Sequence, residues 1–324
     1  MRTSIISDLW QPFPGGAERY MANLADALAE RGHEIHILTS YAKAKSRHPM
    51  TIKSIPTGVL GSEMVARFID EHKPDLLISH HYFAGEFGWM FSLDIPAVEI
   101  IHNRQRSVGA KLAVFNSRYT ADRCGFREGD MIILPPAGAD VMAEYPGRLC
   151  TTNGFIGHIK PIPNRFWKGQ WYGKGVDLTY RLARIMPERK FLVLRGEWQD
   201  VEYIEHLPNV EFMEPVDDIR EFYARCRLVV MPSGSEDAGT CCQEAAINGI
   251  PAISSNVGGL PETNAGGILL CPHDIRHWIR EIVKLDNREY YDEIVRRQRL
   301  AIATMSWAAR FDELDAKLRV ICGK

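Results

Sequence analysis

The stretch MPSGSEDAGTCCQEAAINGIPAISSNVGGLPE, residues 231–262, decides how the chain is read. Apolar residues 228–231 signal a short strand, and Pro232, Ser233 and Gly234 then break the chain into a loop. A helix is expected over 240–248, stopped by Gly249 and Pro251, with a second strand over 252–254 before the Gly258-Gly259 loop. This order is one β-α-β unit, whose two loops leave the same end of a parallel sheet. Ligands of such sheets bind outside the carboxyl ends of the strands, where a helix N-terminus offers unpaired N–H groups to an anion. Glu236 precedes the helix and Glu244 lies about one turn inside it, so both carboxylates can border one pocket. A pair of glutamates alone would mean only two solvated acids; the ordered string around them makes them candidates.

Composition bounds what surrounds this unit. The 324 residues are 45% hydrophobic and 25% charged, enough for two ordinary globular domains. Residues 1–150 carry 16 basic and 17 acidic side chains, leaving 23 and 24 for the rest, so neither half is a polycation built to bind a phosphate backbone along its length. Seven cysteines without a C-x-x-C pair read as reduced thiols of a cytoplasmic protein. No apolar run approaches the ~18 residues of a membrane span, and residues 1–7 are expected to be a strand rather than a leader.

Ahead of the central unit the same alternation recurs. A strand over 3–7 is followed by a loop over 9–16 with Pro12, Pro14, Gly15 and Gly16. Tyr20, Met21, Leu24, Ala25 and Leu28 then fall at helical spacing up to Arg31-Gly32, and residues 34–39 form the next strand. The loop is not G-x-G-x-x-G, so a nicotinamide site is poorly supported. Residues 41–60 hold Lys43, Lys45, Arg47 and Lys53 without an acid and are expected to be a solvated loop, an acceptor-facing or membrane-facing patch being the alternative. A helix over 64–71 and strands over 76–79 and 97–101 follow, the first of these strands running into His80-His81 and the second into His102. Six basic residues, Arg104, Arg106, Lys111, Arg118, Arg123 and Arg127, stand against Asp122 alone, read as one exposed helix face or as acceptor phosphate recognition. Residues 132–134 are expected to be the last strand of this half, with the link to the second half near 145–152.

In the second half, strands are expected over 154–159, 191–194 and 210–213, and Lys174 to Leu178 opens a helix. Between them, residues 161–173 interleave Arg165, Trp167, Lys168, Trp171 and Tyr172, either packed loop aromatics or a surface for stacking on a sugar or nucleobase. A terminal helix is expected over 305–321.

The 231–262 string resembles the C-terminal signature of retaining glycosyltransferases of family GT4, and GGAERYMANLADALAERGHEIHILT at 15–39 resembles the N-terminal one. VEIIHN at 98–103, AVFNSRYTADR at 113–123, KGVDL at 174–178 and the helix opening Ser306-Trp307 are similar to further parts of the same family. The resemblance implies a GT-B fold: two Rossmann-like domains, 1–148 on the acceptor side and 149–305 for the nucleotide sugar, facing a central cleft, with a C-terminal helix, 306–324, crossing back to the first. It implies transfer of a sugar from a nucleotide-diphosphate sugar, with Glu236 on the sugar hydroxyls, Glu244 on the ribose hydroxyls, His102 on a sugar hydroxyl or phosphate oxygen and Lys174 on the diphosphate. Gly15 and Gly16, and the helix start at Gly239-Thr240, would add backbone donors. His158 stands where the family carries an arginine, which leaves that phosphate contact open between His158, Lys160 and Arg165.

Transfer of this kind makes the leaving diphosphate more negative, and the growing charge must meet a metal held by D-x-D or fixed cations and N–H groups. The chain has no D-x-D, so neither a metal nor any cofactor beyond the donor is expected. The resemblance implies retention, for which a front-face route is the usual proposal. The acceptor stays open between a glycan, a lipid, a small molecule and a modified nucleic acid. The rival functions are a sugar-nucleotide epimerase and a non-catalytic nucleotide-sugar-binding protein.

Overall fold

The computed structural model describes residues 1–7, 10, 15–40, 46, 48–55, 61–80, 88–102, 106–135, 154–160, 162, 165–167, 170–196, 206–216, 218–305 and 307–324, with backbone alone at 166–167 and 170–172. The chain divides into two compact units, Met1–Pro136 with Ser306–Lys324, and Ala137–Met305.

The first unit contains β1 (Arg2–Ser7), α1 (Gly16–Glu30), β2 (Glu34–Thr39), β3 (Thr51–Ser54), α2 (Ser62–His72), β4 (Leu76–His80), β5 (Ala97–Ile101), β6 (Leu112–Phe115), α3 (Arg118–Cys124) and β7 (Met131–Ile132). The strands form a parallel sheet in the order β3-β2-β1-β4-β5-β6-β7. Neighbouring residues of one strand serve opposite faces. Ile5, Ile37 and Ile78 pack with Leu24 and Leu28 of α1, whereas Ile6, Leu38 and Leu77 pack with Val65 and Phe68 of α2. Burial on both faces explains why these strands read as continuous apolar runs. Order reverses between β1 and β4, where Ser7 is the register partner of His80 at the carboxyl ends. A reversal of this kind opens a crevice beyond the strand ends.

The second unit contains β8 (Phe155–Ile159), β9 (Arg165–Trp167), β10 (Gln170–Tyr172), α4 (Val176–Ile185), β11 (Phe191–Leu194), β12 (Val210–Met213), α5 (Arg220–Arg225), β13 (Cys226–Met231), α6 (Thr240–Ile247), β14 (Ala252–Ser255), α7 (Leu260–Thr263), β15 (Ile268–Leu270), α8 (Ile275–Lys284) and α9 (Arg288–Ala303). Its main sheet is also parallel, ordered β12-β11-β8-β13-β14-β15, and reverses between β8 and β13. Ile156, Leu228 and Val230 face Leu182 and Trp278 on one side; Leu192 and Val229 face Phe222, Tyr223 and Cys242 on the other. Gly157 sits mid-strand because a Cβ there would lie 2.4 Å from Cys226 Sγ and 2.7 Å from Phe222 Cζ.

The last helix, α10 (Trp307–Ile321), belongs to the first unit. Phe311, Leu314 and Leu318 enter the core beside α1. Polar contacts frame them: Arg31 Nη2 donates to Asp312 Oδ1 at 2.7 Å, His33 Nε2 meets Asp315 Oδ1 at 2.7 Å, and Arg310 Nη2 donates to the Ile132 carbonyl at 2.7 Å.

Two segments expected as loops contain strands. β3 is a polar edge strand, with Lys53 Nζ 2.7 Å from Glu71 Oε2, so no apolar pattern announced it. β9 and β10 form an antiparallel hairpin within 161–173. Lys43, Lys45, Arg47 and the link at 145–152 lie outside the described residues. Among the described residues no helix is long and apolar enough to cross a membrane, and the six described cysteines are free thiols.

Because Leu318 is fully buried whereas Val320 on the same helix is 78% exposed, Leu318→Ala is expected to lower unfolding free energy by ~3 kcal/mol and Val320→Ala by ~0.5 kcal/mol or less. Urea titration followed by circular dichroism measures both; equal, small effects would mean that α10 is not part of the first core.

Candidate active site

At the order reversal of the second sheet, three loops meet through their backbones. Gly175, at φ +77° as the N-cap of α4, lies so close to the loop after β13 that a Cβ would stand 2.0 Å from the Pro232 carbonyl oxygen. Gly258, at φ +59°, would place a Cβ 1.8 Å from the Glu236 carbonyl oxygen, which already accepts the Gly259 N–H at 2.9 Å. Gly234 N–H donates to the Gly173 carbonyl at 3.2 Å. Only glycine tolerates both the positive φ and the approach at 175 and 258.

This packing brings together two of the sequence candidates. Lys174 Nζ donates to Glu236 Oε2, from side chains 27% and 11% exposed. Burial alone would push the Lys174 ammonium down, but the charge and hydrogen bond of Glu236 outweigh it and hold the amine above its ordinary value. Lys174 is also fixed through its backbone, its N–H donating to the Ile162 carbonyl at 2.9 Å. A paired, mostly buried cation beside the start of α4 is suited to an incoming anion.

Gly239 caps α6 without a side-chain cap, and Thr240 begins that helix, so its first N–H groups have no intrahelical partner. Gly239 is glycine because a Cβ would fall 2.6 Å from Leu260 Cδ2. Glu244 is buried on α6, and the Tyr223 hydroxyl donates to its Oε2 at 2.6 Å. Tyr223, the partner of this candidate, was not found from the sequence; in REFYARC it is the second of two adjacent aromatics on a short segment, without any signal of its partner.

His158, read in the sequence as a phosphate contact, instead has both ring nitrogens engaged inside its own domain. It is buried in β8, its Nδ1 3.0 Å from Thr179 Oγ1 and its Nε2 3.2 Å from the Lys160 carbonyl. A carbonyl only accepts, so Nε2 carries the proton and Nδ1 accepts from the Thr179 hydroxyl. Burial pushes the ring down to about 4, the Lys160 carbonyl acting the other way and the Lys174 charge reinforcing the drop. A neutral ring with both nitrogens engaged inside the domain ties β8 to α4. Lys160 adopts φ +63° and is half-buried, and Arg165 is exposed.

The first unit holds the other candidates. Gly15 caps α1, and the Glu18 carboxylate folds back over it so closely that a Cβ at 15 would meet Oε2 at 1.6 Å; Gly16 is the first helical residue. One turn on, Tyr20 stands edge-on to His102, with ring centroids 5.0 Å apart at 85°. His102 Nδ1 lies 3.0 Å from His80 Nε2, and His80 Nδ1 lies 3.0 Å from Ser7 Oγ. His80, considered in the sequence as a rival of His102, is thus its buried neighbour, and His81 lies outside the described residues.

The basic run at 104–127 is not one patch. The Arg106 side chain is 5% exposed and forked onto Asp130, with Nε 2.9 Å and Nη2 3.2 Å from its two oxygens. Arg118 lies over Phe126 and Arg123 over Tyr119, at 5.6 and 5.1 Å. Lys111 and Arg127 are exposed, and Arg104 is outside the described residues.

Comparison with known proteins agrees with this architecture. A family profile described as "Glycosyltransferase Family 4" matches residues 14–135, and one described as "Glycosyl transferases group 1" matches residues 167–287. A D-inositol 3-phosphate glycosyltransferase of Mycolicibacterium smegmatis is 24% identical over 93% of this chain and 85% of its own length. Among solved structures, sucrose-phosphate synthase from Thermosynechococcus elongatus superposes with a TM-score of 0.77 at 16% identity, covering 99% of both chains. Anabaena Alr3699/HepE, solved with UDP and glucose, gives 0.73 at 18% identity over 97% of this chain and 98% of its own.

An unfolded histidine titrates near 6.5 and folded His158 near 4, so folding favours the neutral ring. The stability this gives is present above pH 6.5 and is lost as pH falls toward 4, by ~3 kcal/mol over that window. Denaturation of wild type and His158→Gln between pH 7 and 4 checks it: the wild type should show the additional slope, and parallel curves would place His158 in an exposed, titrating position.

Proposed function

Because the chain belongs to the GT4-like glycosyltransferases of GT-B fold, we propose that it transfers a glycosyl group from a nucleotide-diphosphate sugar to an acceptor hydroxyl with retention of the anomeric configuration and without a metal ion. The observation that carries this reading is the Lys174–Glu236 pair, held by three interlocked loops at the strand-order reversal of the second sheet.

In this reading the diphosphate takes the Lys174 ammonium from Glu236, and the first turns of α4 and α6 add N–H donors to the charge that grows as the anomeric C–O bond breaks. The freed Glu236 accepts from hydroxyls of the donor sugar. Glu244, oriented by Tyr223, accepts from the ribose hydroxyls. His102 donates to a sugar hydroxyl or phosphate oxygen. The acceptor oxygen bonds to the anomeric carbon on the face the diphosphate leaves, and its proton passes to a diphosphate oxygen, so no protein nucleophile is needed. UDP-sugars are the first donors to screen, since a structural neighbour binds UDP and UDP-glucose. Free thiols fit a reducing compartment, and we assign the enzyme to the cytoplasm.

Transfer should persist in excess EDTA, and NMR of the product should show the donor's anomeric configuration; loss of activity restored by Mg²⁺, or an inverted linkage, would overturn the corresponding half of the proposal. Steady-state kinetics separate the two glutamates. Glu244→Ala removes a contact made equally before and during reaction and should chiefly raise the donor KM. Glu236→Ala should lower kcat by ~10²-fold or more, the scale for losing a group that acts on the reacting sugar. A normal kcat in Glu236→Ala would remove it from the reaction.

A further inference from the structure

We propose that His80 is a positioning residue for His102, the inner member of a Ser7–His80–His102 chain that fixes which nitrogen of His102 carries the proton. The inference rests on the role given to His102 above and adds what holds it.

Three elements build the chain. Ser7 ends β1, His80 ends β4, and the two are register partners where strand order reverses. Their side chains meet at 3.0 Å, Ser7 Oγ to His80 Nδ1. His102 follows β5, the next strand of the sheet, and its Nδ1 lies 3.0 Å from His80 Nε2. The His80 and His102 rings cross at 68° with centroids 4.8 Å apart, and Tyr20 closes another side of His102 at 85°. Ser7, His80 and Tyr20 are all buried, at 0, 2 and 2% exposure. The His102 ring is therefore packed on an inflexible floor, and the hydrogen bond at Nδ1 chooses its tautomer.

Two arrangements satisfy the chain, and they differ in chemistry. If the Ser7 hydroxyl donates to His80 Nδ1, then His80 Nε2–H donates to His102 Nδ1, and His102 carries its proton on Nε2 as a hydrogen-bond donor. The reverse arrangement puts the proton on Nδ1 and makes Nε2 an acceptor. Transfer enlarges negative charge on the donor's leaving oxygens, so the first arrangement is the one that stabilises the reaction. The structure thus assigns His80 as donor and His102 Nε2–H as the working group. The same logic governs metal-bound histidines, whose remote nitrogen is held by a partner that sets tautomer and orientation.

Four variants test it: His80→Phe keeps the ring volume without a donor, His80→Gln restores an N–H near the Nε2 position, Ser7→Ala removes only the anchoring hydroxyl, and His102→Ala removes the dependent group. His80→Phe should lower kcat by roughly tenfold to a hundredfold, the usual size for such orienting partners. UDP affinity by calorimetry should fall in the same variant, because UDP carries the leaving oxygens that His102 Nε2–H meets. His80→Gln should recover most of the kcat, and Ser7→Ala should lose several-fold of it, which keeps the test open if Phe at 80 does not fold. NMR of the ¹⁵N-histidine-labelled wild type should show His102 protonated on Nε2 with Nδ1 an acceptor. Normal turnover in His80→Phe while His102→Ala is inactive, failure of His80→Gln to recover activity, or a His102 proton on Nδ1 would each overturn the inference. Normal turnover in His102→Ala would instead remove the role of His102 itself, and the inference with it.

Discussion

Contact between backbone and backbone at the carboxyl edge of the second sheet is the constraint on which the candidate site depends. Gly175 sits against the Pro232 carbonyl and Gly258 against the Glu236 carbonyl, at distances that leave no room for a side chain. With those loops fixed, Lys174 and Glu236 have little freedom except to face each other. Alanine at either glycine would combine a positive φ with a backbone clash, so the loops would have to separate and the pair with them. A cation kept ionised and oriented by a neighbouring carboxylate is available to a diphosphate at once, without reorganising a flexible chain.

Each unit places its candidate site residues where its own strand order reverses. In the second sheet the reversal lies between β8 and β13, whose following loops carry Lys174 and Glu236. In the first it lies between β1 and β4, whose ends carry Ser7 and His80, with His102 on the adjacent strand end. The two places differ in chemistry on the same scaffold logic: an ion pair between loops in one, a Ser7–His80–His102 hydrogen-bonded chain in the other. Glycine at 15 and 16 serves the second arrangement from a distance, since it starts the helix that brings Tyr20 against His102.

Much of this was legible in the sequence because apolar strands buried on both faces and glycine-stopped helices leave unambiguous punctuation. Strands 34–39, 97–101, 191–194 and 210–213 fall where their apolar runs predict, and Ser117 caps α3, accepting from Thr120 N–H at 3.0 Å. Edge strands escaped: β3 reads Thr-Ile-Lys-Ser and alternates half-exposed with exposed, so its pairing is dictated by β2 and not by its own composition. Partnerships escaped for a different reason. Lys174 and Glu236 are 62 residues apart, Ser7 and His80 are 73 apart, and Tyr223 and Glu244 are 21 apart, distances at which sequence spacing carries no geometry. His158 was found by position but not by environment, because a residue in mid-strand of a doubly covered sheet faces packing whichever way it points, and Thr179 was waiting on α4.

The direct measurement is the affinity of UDP for Lys174→Ala and Glu236→Ala, by calorimetry on folded protein. If Lys174 is the cation that meets the diphosphate and Glu236 holds it until the donor arrives and then turns to the sugar, which UDP lacks, Lys174→Ala should bind UDP at least roughly tenfold more weakly, the lower end for a hydrogen bond to a charged group. Glu236→Ala should bind it within about threefold of wild type. Equal losses in the two variants, or wild-type affinity in Lys174→Ala, would contradict the division of labour on which the site is built.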